Sequence, residues 1–285
     1  MAGTMPQPSG PDDASGGPVR PARRWWWVLT VLLVGAIVAL VLQPWVAHDV
    51  EPDAATTTPS PTSALDVPDP KESSSTVQPV GSAARFDAGT AGRLLVTPTQ
   101  LATAMPGAAA GLSAGPTPTW GLPAGSAVDP DDCTDAVTVV GTTPRDFQAQ
   151  QWRDPEMSFE QRVSVLASPR AAQRAFRVLV QTVDACSVYT QSVPGADSTT
   201  WSASPAIEGQ GVYPSIVQER TQRTGTHAFP DYRGHLLVGN TIVTWTATDL
   251  HDGASTDDAR KVLGEPEDLD QLLQTQAQHA VEGLG

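Results

Sequence analysis

Motifs that carry catalysis or metal binding are missing from this 285-residue chain. It has no Gly-x-Ser-x-Gly nucleophile turn, no glycine-rich phosphate loop, no His-Glu-x-x-His pair and no cysteine cluster at zinc spacing. The common signatures of hydrolases, nucleotide-binding enzymes and zinc proteins are therefore absent. We expect that the protein is not an enzyme and that it binds no cofactor or metal.

Basic charge is also scarce, with 17 Lys and Arg against 31 Asp and Glu and a formal net charge of −14. An acidic surface repels the phosphate backbone of nucleic acids, so we expect no nucleic-acid partner. An excess of acid also keeps an exported domain soluble. Only two of the basic residues are lysines, and Ala, Gly and Pro are abundant, a bias typical of GC-rich genomes such as those of actinobacteria.

Charge of either sign is missing from one long apolar segment, residues 25–42. A helix of these 18 residues would be roughly 27 Å long, close to the hydrocarbon thickness of a bilayer. Arg20, Arg23 and Arg24 precede the segment, and the next basic residue is Lys71. Because positively charged flanks stay in the cytoplasm, the segment is predicted to cross the membrane with the N-terminus inside.

A cleaved signal peptide is the alternative interpretation of this segment. Signal peptides have apolar regions of about 7–15 residues, followed by a small-x-small cleavage site. Here the apolar run is longer, and Val46 fits that pattern poorly beside Ala47. These differences favour an uncleaved signal anchor.

Composition divides the chain into four predicted parts. Pro, Ser, Thr and Gly dominate the regions on both sides of the apolar segment, and such sequences cannot bury a core. The remaining stretch of about 200 residues is long enough for one domain with a sizeable core. The parts are a disordered cytoplasmic tail (1–24), a transmembrane signal anchor (25–44), an extracellular linker (45–85) and an extracellular domain (86–285).

The two cysteines, Cys133 and Cys186, both follow the predicted membrane segment. Disulfides persist outside the cytoplasm, and an even pair there indicates a bond. Such a bond would close a loop with 52 residues between its ends and would contribute about 4 kcal/mol in the chain-entropy model. Two free buried thiols are the alternative.

Helix and strand signals alternate through the predicted domain. Thr97 before Pro98 and Ser168 before Pro169 are typical helix N-caps, and Gln100 completes a capping box with Thr97. The order helix, strands, helix, strands, helix predicts an α+β fold, an antiparallel sheet with helices packed on one face. The predicted elements are helices at 97–105, 168–186 and 266–284 and strands at 159–166, 186–193, 212–220 and 234–248.

The last of these strand segments is a hairpin with a two-residue Gly239-Asn240 turn. This turn pairs Val238 with Thr241. The side chains of successive cross-strand pairs then lie on alternate faces of the sheet. One side is apolar and carries Leu236, Val238, Val243 and Trp245; the other is mixed and carries Arg233, His235, Leu237, Ile242, Thr244 and Thr246.

The mixed side holds our candidate ligand-binding residues. Arginine and threonine suit an anionic or sugar-like ligand, although a merely solvated face is the alternative at each position. The candidates are Arg220, Arg233, His235, Thr244 and Thr246.

Three histidines, His227, His235 and His251, could converge with Asp231 or Asp249 into a metal or hydrolase site. Chance proximity in a domain of this size is the alternative. The segment 225–234 is rich in Gly, Pro, aromatic and charged residues and is either a structural turn or a ligand loop.

The order of these features resembles the PknH-like extracellular sensor domain family of actinobacteria. The resemblance covers roughly residues 93–284, and the block from Cys133 through a helix to Cys186 carries most of it. The matching motifs are Thr97-Pro98-x-x-Leu101, Asp132-Cys133-Thr134-Asp135, Gln161-x-Val163-x-Val165, Ser168-x-x-x-Ala172 and Ile242-Val243.

Family members occur as the outer part of receptor Ser/Thr kinases or as stand-alone membrane proteins. The resemblance implies an antiparallel sheet with helices on one face and a cleft on the other, and extracellular sensing of a generally unknown ligand. We expect two departures from the family: the 24 residues before the predicted anchor are too few for a kinase domain, and one disulfide can form where some members have two.

These observations lead to three hypotheses of function. The first is a single-pass, membrane-anchored extracellular sensor or ligand-binding module of the cell envelope, with an unknown small ligand. The second is an envelope scaffold that binds another protein or the cell wall. The third is an envelope hydrolase built on the histidines.

Overall fold

The computed structural model describes residues 81–285. The predicted tail and anchor, and most of the predicted linker, lie outside these residues. No helix between residues 81 and 285 is both long enough and apolar enough to cross a bilayer.

One antiparallel sheet of ten strands forms the centre of the described part of the chain. Its order is β1-β3-β4-β10-β9-β8-β6-β5-β2, and β7 pairs with β8. The strands are β1 Ser113–Ala114, β2 Ala127–Asp129, β3 Asp146–Arg153, β4 Met157–Val165, β5 Val188–Ser192, β6 Thr199–Ala203, β7 Ile207–Glu208, β8 Ser215–Thr224, β9 His227–Val238 and β10 Thr241–Asp249.

Five α-helices and three short 3-10 helices accompany the sheet in residues 81–285. The α-helices are α1 Pro98–Ala104, α2 Thr134–Thr138, α3 Pro169–Ala185, α4 Thr256–Leu263 and α5 Pro266–Glu282. The 3-10 helices are Ala91–Leu94, Pro106–Ala110 and Asp131–Cys133. The α+β class predicted from the element order is confirmed.

The predicted helix starts are present. Thr97 Oγ1 accepts a hydrogen bond from the Gln100 amide (3.3 Å), and Gln100 Oε1 accepts one from the Thr97 amide (2.8 Å). Ser168 Oγ likewise accepts from the Ala171 amide at the start of α3 (3.2 Å). Each cap satisfies amides that the first helical turn leaves without a backbone partner.

The β9–β10 hairpin has the predicted register. Val238 pairs with Thr241, and Thr244 pairs with His235. Gly239 has a φ of 57°, a left-handed conformation that glycine adopts without strain. Asn240 beside it accepts a hydrogen bond from the Phe86 amide (2.6 Å), so the turn also fastens the start of the domain.

The apolar face, which we define as the side of the sheet that carries Val243 and Trp245, holds the largest core. Trp245 and Leu236 are fully buried there. Leu269 of α5 and Leu263 of α4 belong to the same cluster. Helices α1, α4 and α5 thus cover this face, because their apolar stripes and the alternate residues of the strands exclude water together.

The prediction that helices pack on one face is wrong. Helix α3 lies on the opposite side, which we call the cleft face because it also carries Thr244. Phe176, Leu179 and Val183 of α3 form a second cluster with Ile216 and Ile242. Ile242 is apolar and, as the residue before Val243, it points to the opposite face of the sheet. Near the turn, both faces of the hairpin therefore carry apolar side chains that a helix must shield from water.

The predicted disulfide joins Cys133 to Cys186, with 5.7 Å between the Cα atoms. Cys133 ends the 3-10 helix before α2, and Cys186 is the C-cap of α3. The bond therefore holds α2 against the end of α3, on the cleft face of the sheet.

Sequence patterns missed strand β3 and placed the start of β9 in a loop. Every residue of β3 from Asp146 to Trp152 is half-buried, so no apolar–polar alternation marks the strand. In the segment 225–234 only Gly225 and Thr226 form a turn, and the rest is strand. Pro230 lies inside that strand, and its presence argued against a strand.

Candidate functional site

A polar cleft of about 230 Å³ opens on the cleft face, beyond the part of the sheet that α3 covers. Its floor is formed by the central strands, and α2 contributes one wall. The lining residues are Val137, Gln151, Ser158, Glu160, Arg162, Gln191, Trp201, Arg220, Gln222, Asp231, Arg233, Thr244, Thr246 and Thr248.

Arg220 and Asp231 form a buried ion pair across β8 and β9. Arg220 Nε donates to Asp231 Oδ1 at 2.7 Å, and Nη2 donates to Oδ2 at 3.0 Å. The third nitrogen, Nη1, donates to the Tyr189 hydroxyl at 2.8 Å. Burial alone would lower the pKa of Arg220, but the carboxylate and the hydroxyl outweigh it and raise that pKa. Both charges of this pair are therefore satisfied within the protein.

Arg162 and Glu160 form a second pair two residues apart on β4. The guanidinium Nε of Arg162 donates to Glu160 Oε1. Both side chains are about one-quarter exposed, at 27% and 24%. The pair stands opposite Thr244 and Thr246 in the register of β4 and β10, which brings it to the same floor.

Arg233 differs from these two arginines because no carboxylate pairs with it among the described residues. Its Nη2 donates to the Val137 carbonyl at 3.1 Å. Its Nε is buried without a hydrogen-bond partner. Burial, together with repulsion from Arg220, lowers the pKa of Arg233 to about 10. The cleft therefore carries one cation whose charge the surrounding residues do not balance.

Neutral polar groups make up most of the remaining lining. Amides and hydroxyls dominate, including Gln222 from β8 and Thr246 from β10. Trp201 supplies the one large aromatic ring among the lining residues, and it stacks on Tyr189 with 5.3 Å between ring centroids. Such a mixture offers both hydrogen-bond donors and an apolar surface to a small polar ligand.

His235 is placed differently from the other predicted residues. It does not line the cleft. It lies behind Thr244, whose Oγ1 is 2.9 Å from His235 Nδ1. Burial, with repulsion from Arg233 and Arg220, lowers its pKa well below 6.5. The imidazole is therefore neutral at neutral pH and is positioned to orient the Thr244 hydroxyl.

The other predicted candidates, Arg220, Arg233, Thr244 and Thr246, come together in the cleft. Sequence reasoning considered Asp231 only as a partner of the candidate histidines, and it missed the pairing with Arg220 because it interpreted the segment 225–234 as a turn or ligand loop. It missed Arg162 and Glu160 because nothing local indicated that β4 lies beside β10. The alternation of Arg162 with Val163 indicates that Arg162 lies on the polar face of β4. Only the strand order shows that this face continues the cleft floor formed by β10.

The other candidate histidines, His227 and His251, form separate contacts. His227 Nδ1 lies 2.7 Å from Asp252 Oδ2, and His251 Nδ1 lies 2.7 Å from Asp249 Oδ1. Within residues 81–285, no group of three or more His, Cys, Asp or Glu side chains could hold a metal ion.

These features define an α+β domain with a disulfide-supported, arginine-containing cleft on one face of an antiparallel sheet. The family model of the PknH-like extracellular domain matches residues 86–268. The chain therefore belongs to the PknH-like extracellular domain family, and its C-terminal domain is an extracellular one.

One solved structure agrees with this assignment at the level of the fold, and a second shows a weaker likeness. The extracellular domain of PknH from Mycobacterium tuberculosis is 15% identical, with a TM-score of 0.54, over 70% of this chain and 99% of that one. The Rv0999 ortholog of Mycobacterium smegmatis, a protein of uncharacterised function, is 16% identical, with a TM-score of 0.32, over 60% of this chain and 85% of that one. No curated protein matches the sequence.

Proposed function

We propose that the protein is a membrane-anchored extracellular sensor module that binds a small anionic ligand in the cleft. It acts by binding and not by catalysis. Residues 25–44 anchor it in the cell membrane, and the linker presents the domain outside.

The observation that carries this proposal is the unbalanced charge of Arg233. Asp231 is fully engaged by Arg220, and Glu160 by Arg162. A buried guanidinium without a carboxylate is costly, and natural proteins keep such groups where a function needs them. An anion in the cleft would supply the missing partner.

The neutral lining supports a ligand that also carries hydroxyl or amide groups. Thr244, Thr246 and Gln222 can exchange hydrogen bonds with such groups. The cleft volume of about 230 Å³ limits the ligand to a small molecule. A carboxylate or phosphate on a sugar-sized body meets these requirements.

A thermal-unfolding screen tests the proposal on the full-length chain in non-ionic detergent. The probes are phosphate, D-glucuronate and, as an uncharged reference, D-glucose. A ligand present at about 100 times its dissociation constant stabilises the folded state by about 2.7 kcal/mol. We expect stabilisation by an anionic probe and none by D-glucose.

Arg233→Gln should abolish this stabilisation, whereas Arg223→Gln should preserve it. Arg223 lies on β8 close to the cleft, but it is exposed and is not part of the lining. Equal stabilisation of both variants would refute a site at Arg233. A folded protein that responds to no anion would favour a partner protein as the ligand.

A further inference from the structure

A second concavity lies on the other side of the sheet, between the β7–β8 hairpin and the start of α5. Its volume is about 520 Å³. Apolar side chains form part of its wall, among them Ile207, which is 60% exposed, and Val217. We call this concavity the acidic groove, because carboxylates dominate its charged residues.

Carboxylates from separate elements line the acidic groove. Glu208 comes from β7 and Glu219 from β8, whereas Glu265, Glu267 and Asp270 come from α5 and the residue before it. Glu265 and Glu267 are at the helix N-terminus, where the helix dipole favours acids. The dipole does not explain Glu208 and Glu219, which belong to the sheet.

The one cation among the lining residues, Arg260, is already engaged. Its Nη2 is 2.9 Å from Glu219 Oε1, and its Nε is 3.3 Å from Glu265 Oε2. Asp257, outside the groove, approaches a third nitrogen at 3.5 Å. Glu208, Glu267 and Asp270 are therefore left without a cationic partner among residues 81–285.

Asp270 is the most informative of these acids, because it is only 5% exposed. Its Oδ2 accepts a hydrogen bond from Ser215 Oγ at 3.0 Å, whereas its Oδ1 has no partner. Burial raises its pKa, although the hydrogen bond from Ser215 opposes the rise. A buried acceptor of this kind at the groove wall is a group that an incoming donor would satisfy.

We propose that the acidic groove binds a basic segment of a partner protein, in which Lys or Arg alternates with an apolar residue. The charged side chains would meet Glu208, Glu267 and Asp270, and the apolar ones would cover Ile207 and Val217. This site is independent of the anion cleft, since the two concavities share no lining residue.

The chain's own linker does not fit this groove. Residues 45–80 contain six acidic residues and one basic residue, Lys71, so the linker would be repelled. The arginines of the N-terminal tail precede the predicted anchor and would lie across the membrane. Ile207 is largely exposed, and Val212, which follows the lining residue Gly211 in the chain, is 41% exposed. These exposed apolar side chains favour a protein as the occupant.

The test is calorimetric titration of the full-length chain in non-ionic detergent with acetyl-Arg-Leu-Arg-Leu-amide. Acetyl-Gln-Leu-Gln-Leu-amide is the uncharged control. We expect only the basic peptide to bind, and its affinity to fall as salt is raised. The double variant Glu208→Gln/Glu267→Gln should bind it about fivefold more weakly, because both carboxylates are solvent-accessible and each contributes modestly.

A matched control variant, Asp184→Asn/Asp197→Asn, removes two exposed acids that line neither concavity and should bind as the unmodified chain does. Equal binding by both double variants, or no binding by the unmodified chain, would overturn the proposal. Ile207→Ser should weaken binding of the peptide but not of spermidine. If spermidine binds as tightly as the peptide and Ile207→Ser has no effect, the groove is a small polyamine site instead.

Discussion

The two faces of the central strands are built from alternate residues of the same sequence, yet they have opposite characters. On the apolar face, Trp245 and Leu236 are sealed beneath three helices. On the cleft face, Thr244, the residue before Trp245, and Arg233, three residues before Leu236, line a cleft that α3 leaves uncovered. Both faces belong to the same strands, so the alternating side chains, together with the helices that cover them, decide which parts of each face become core.

The difference lies in how each face obtains its stability. The apolar face gains from area removed from water, which needs no particular partner. The cleft face contains buried charges, and each needs its own counter-charge or remains a cost. Arg220 has such a partner and Arg233 does not. The charge of Arg220 is therefore used within the fold, whereas the charge of Arg233 is available to a ligand.

The largest expected effect is on the apolar face. Trp245→Ala should lower the free energy of unfolding by about 4 kcal/mol, because it removes a large, fully buried ring and leaves a cavity. Chemical denaturation monitored by circular dichroism measures this loss. Thr246→Ala, the adjacent residue on the cleft face, is the control and should cost less than about 1 kcal/mol. Equal losses would mean that the two faces do not differ in packing.

The second prediction concerns the satisfied pair on the cleft face. Arg220→Met should destabilise the domain by about 3 kcal/mol, because it leaves Asp231, whose side chain has no exposed area, without its partner. Adding Asp231→Asn to Arg220→Met should recover much of that loss in the same denaturation assay. A double variant no more stable than Arg220→Met would show that the pair contributes through packing and not through charge.

The third prediction uses the lowered pKa of His235. In the folded state the imidazole stays neutral, whereas in the unfolded chain it gains a proton below its ordinary pKa of about 6.5. Because the folded-state pKa is lowered, stability is lost as the pH falls through the ordinary histidine pKa of about 6.5. His235→Asn should remove that part of the pH dependence.

Comparing the two proteins at each pH isolates His235. His251, whose pKa is raised through its hydrogen bond to Asp249 and the attraction of that carboxylate, has the opposite effect on the pH dependence. That effect is common to both proteins and cancels in the difference between them. A difference in unfolding free energy that does not change with pH would contradict a neutral, buried imidazole.

The smallest effect on the free energy of unfolding is expected at Arg233, and it is a gain instead of a loss. Arg233→Met should raise the stability of the ligand-free domain by about 1 kcal/mol, because it removes a buried charge without a counter-charge. Differential scanning calorimetry checks this as an increase in Tm over the unmodified chain. A loss comparable with that of Arg220→Met would show that Arg233 is a structural residue and would weaken its role as a ligand contact.

Local features of the fold were predictable because a few neighbouring residues specify them. The capping box at Thr97 and the Gly239-Asn240 turn depend on contacts within about four residues along the chain. The turn fixed the β9–β10 register, and alternation then divided the hairpin into its two faces. The Cys133–Cys186 disulfide was predictable because the sequence has only two cysteines and both follow the predicted membrane segment.

The composition of the cleft was not predictable in the same way. Arg233 contacts the Val137 carbonyl across 96 positions in the chain, and the Glu160–Arg162 pair reaches the cleft only because β4 lies beside β10. Strand β3 carried no periodic signal, since none of its residues is fully buried. No short-range pattern encodes such neighbours.

The sequence by itself determined the helix caps, the hairpin register, the disulfide partners and the alternation of the two faces, because each rests on short-range stereochemistry or on pairing with a single possible partner. Only the tertiary structure decided that α3 covers the second face in part, that Asp231 pairs with Arg220, and that Arg233 is left without a carboxylate. Those outcomes depend on strand order and on which charges meet after the chain has folded, when burial makes each unpaired group costly.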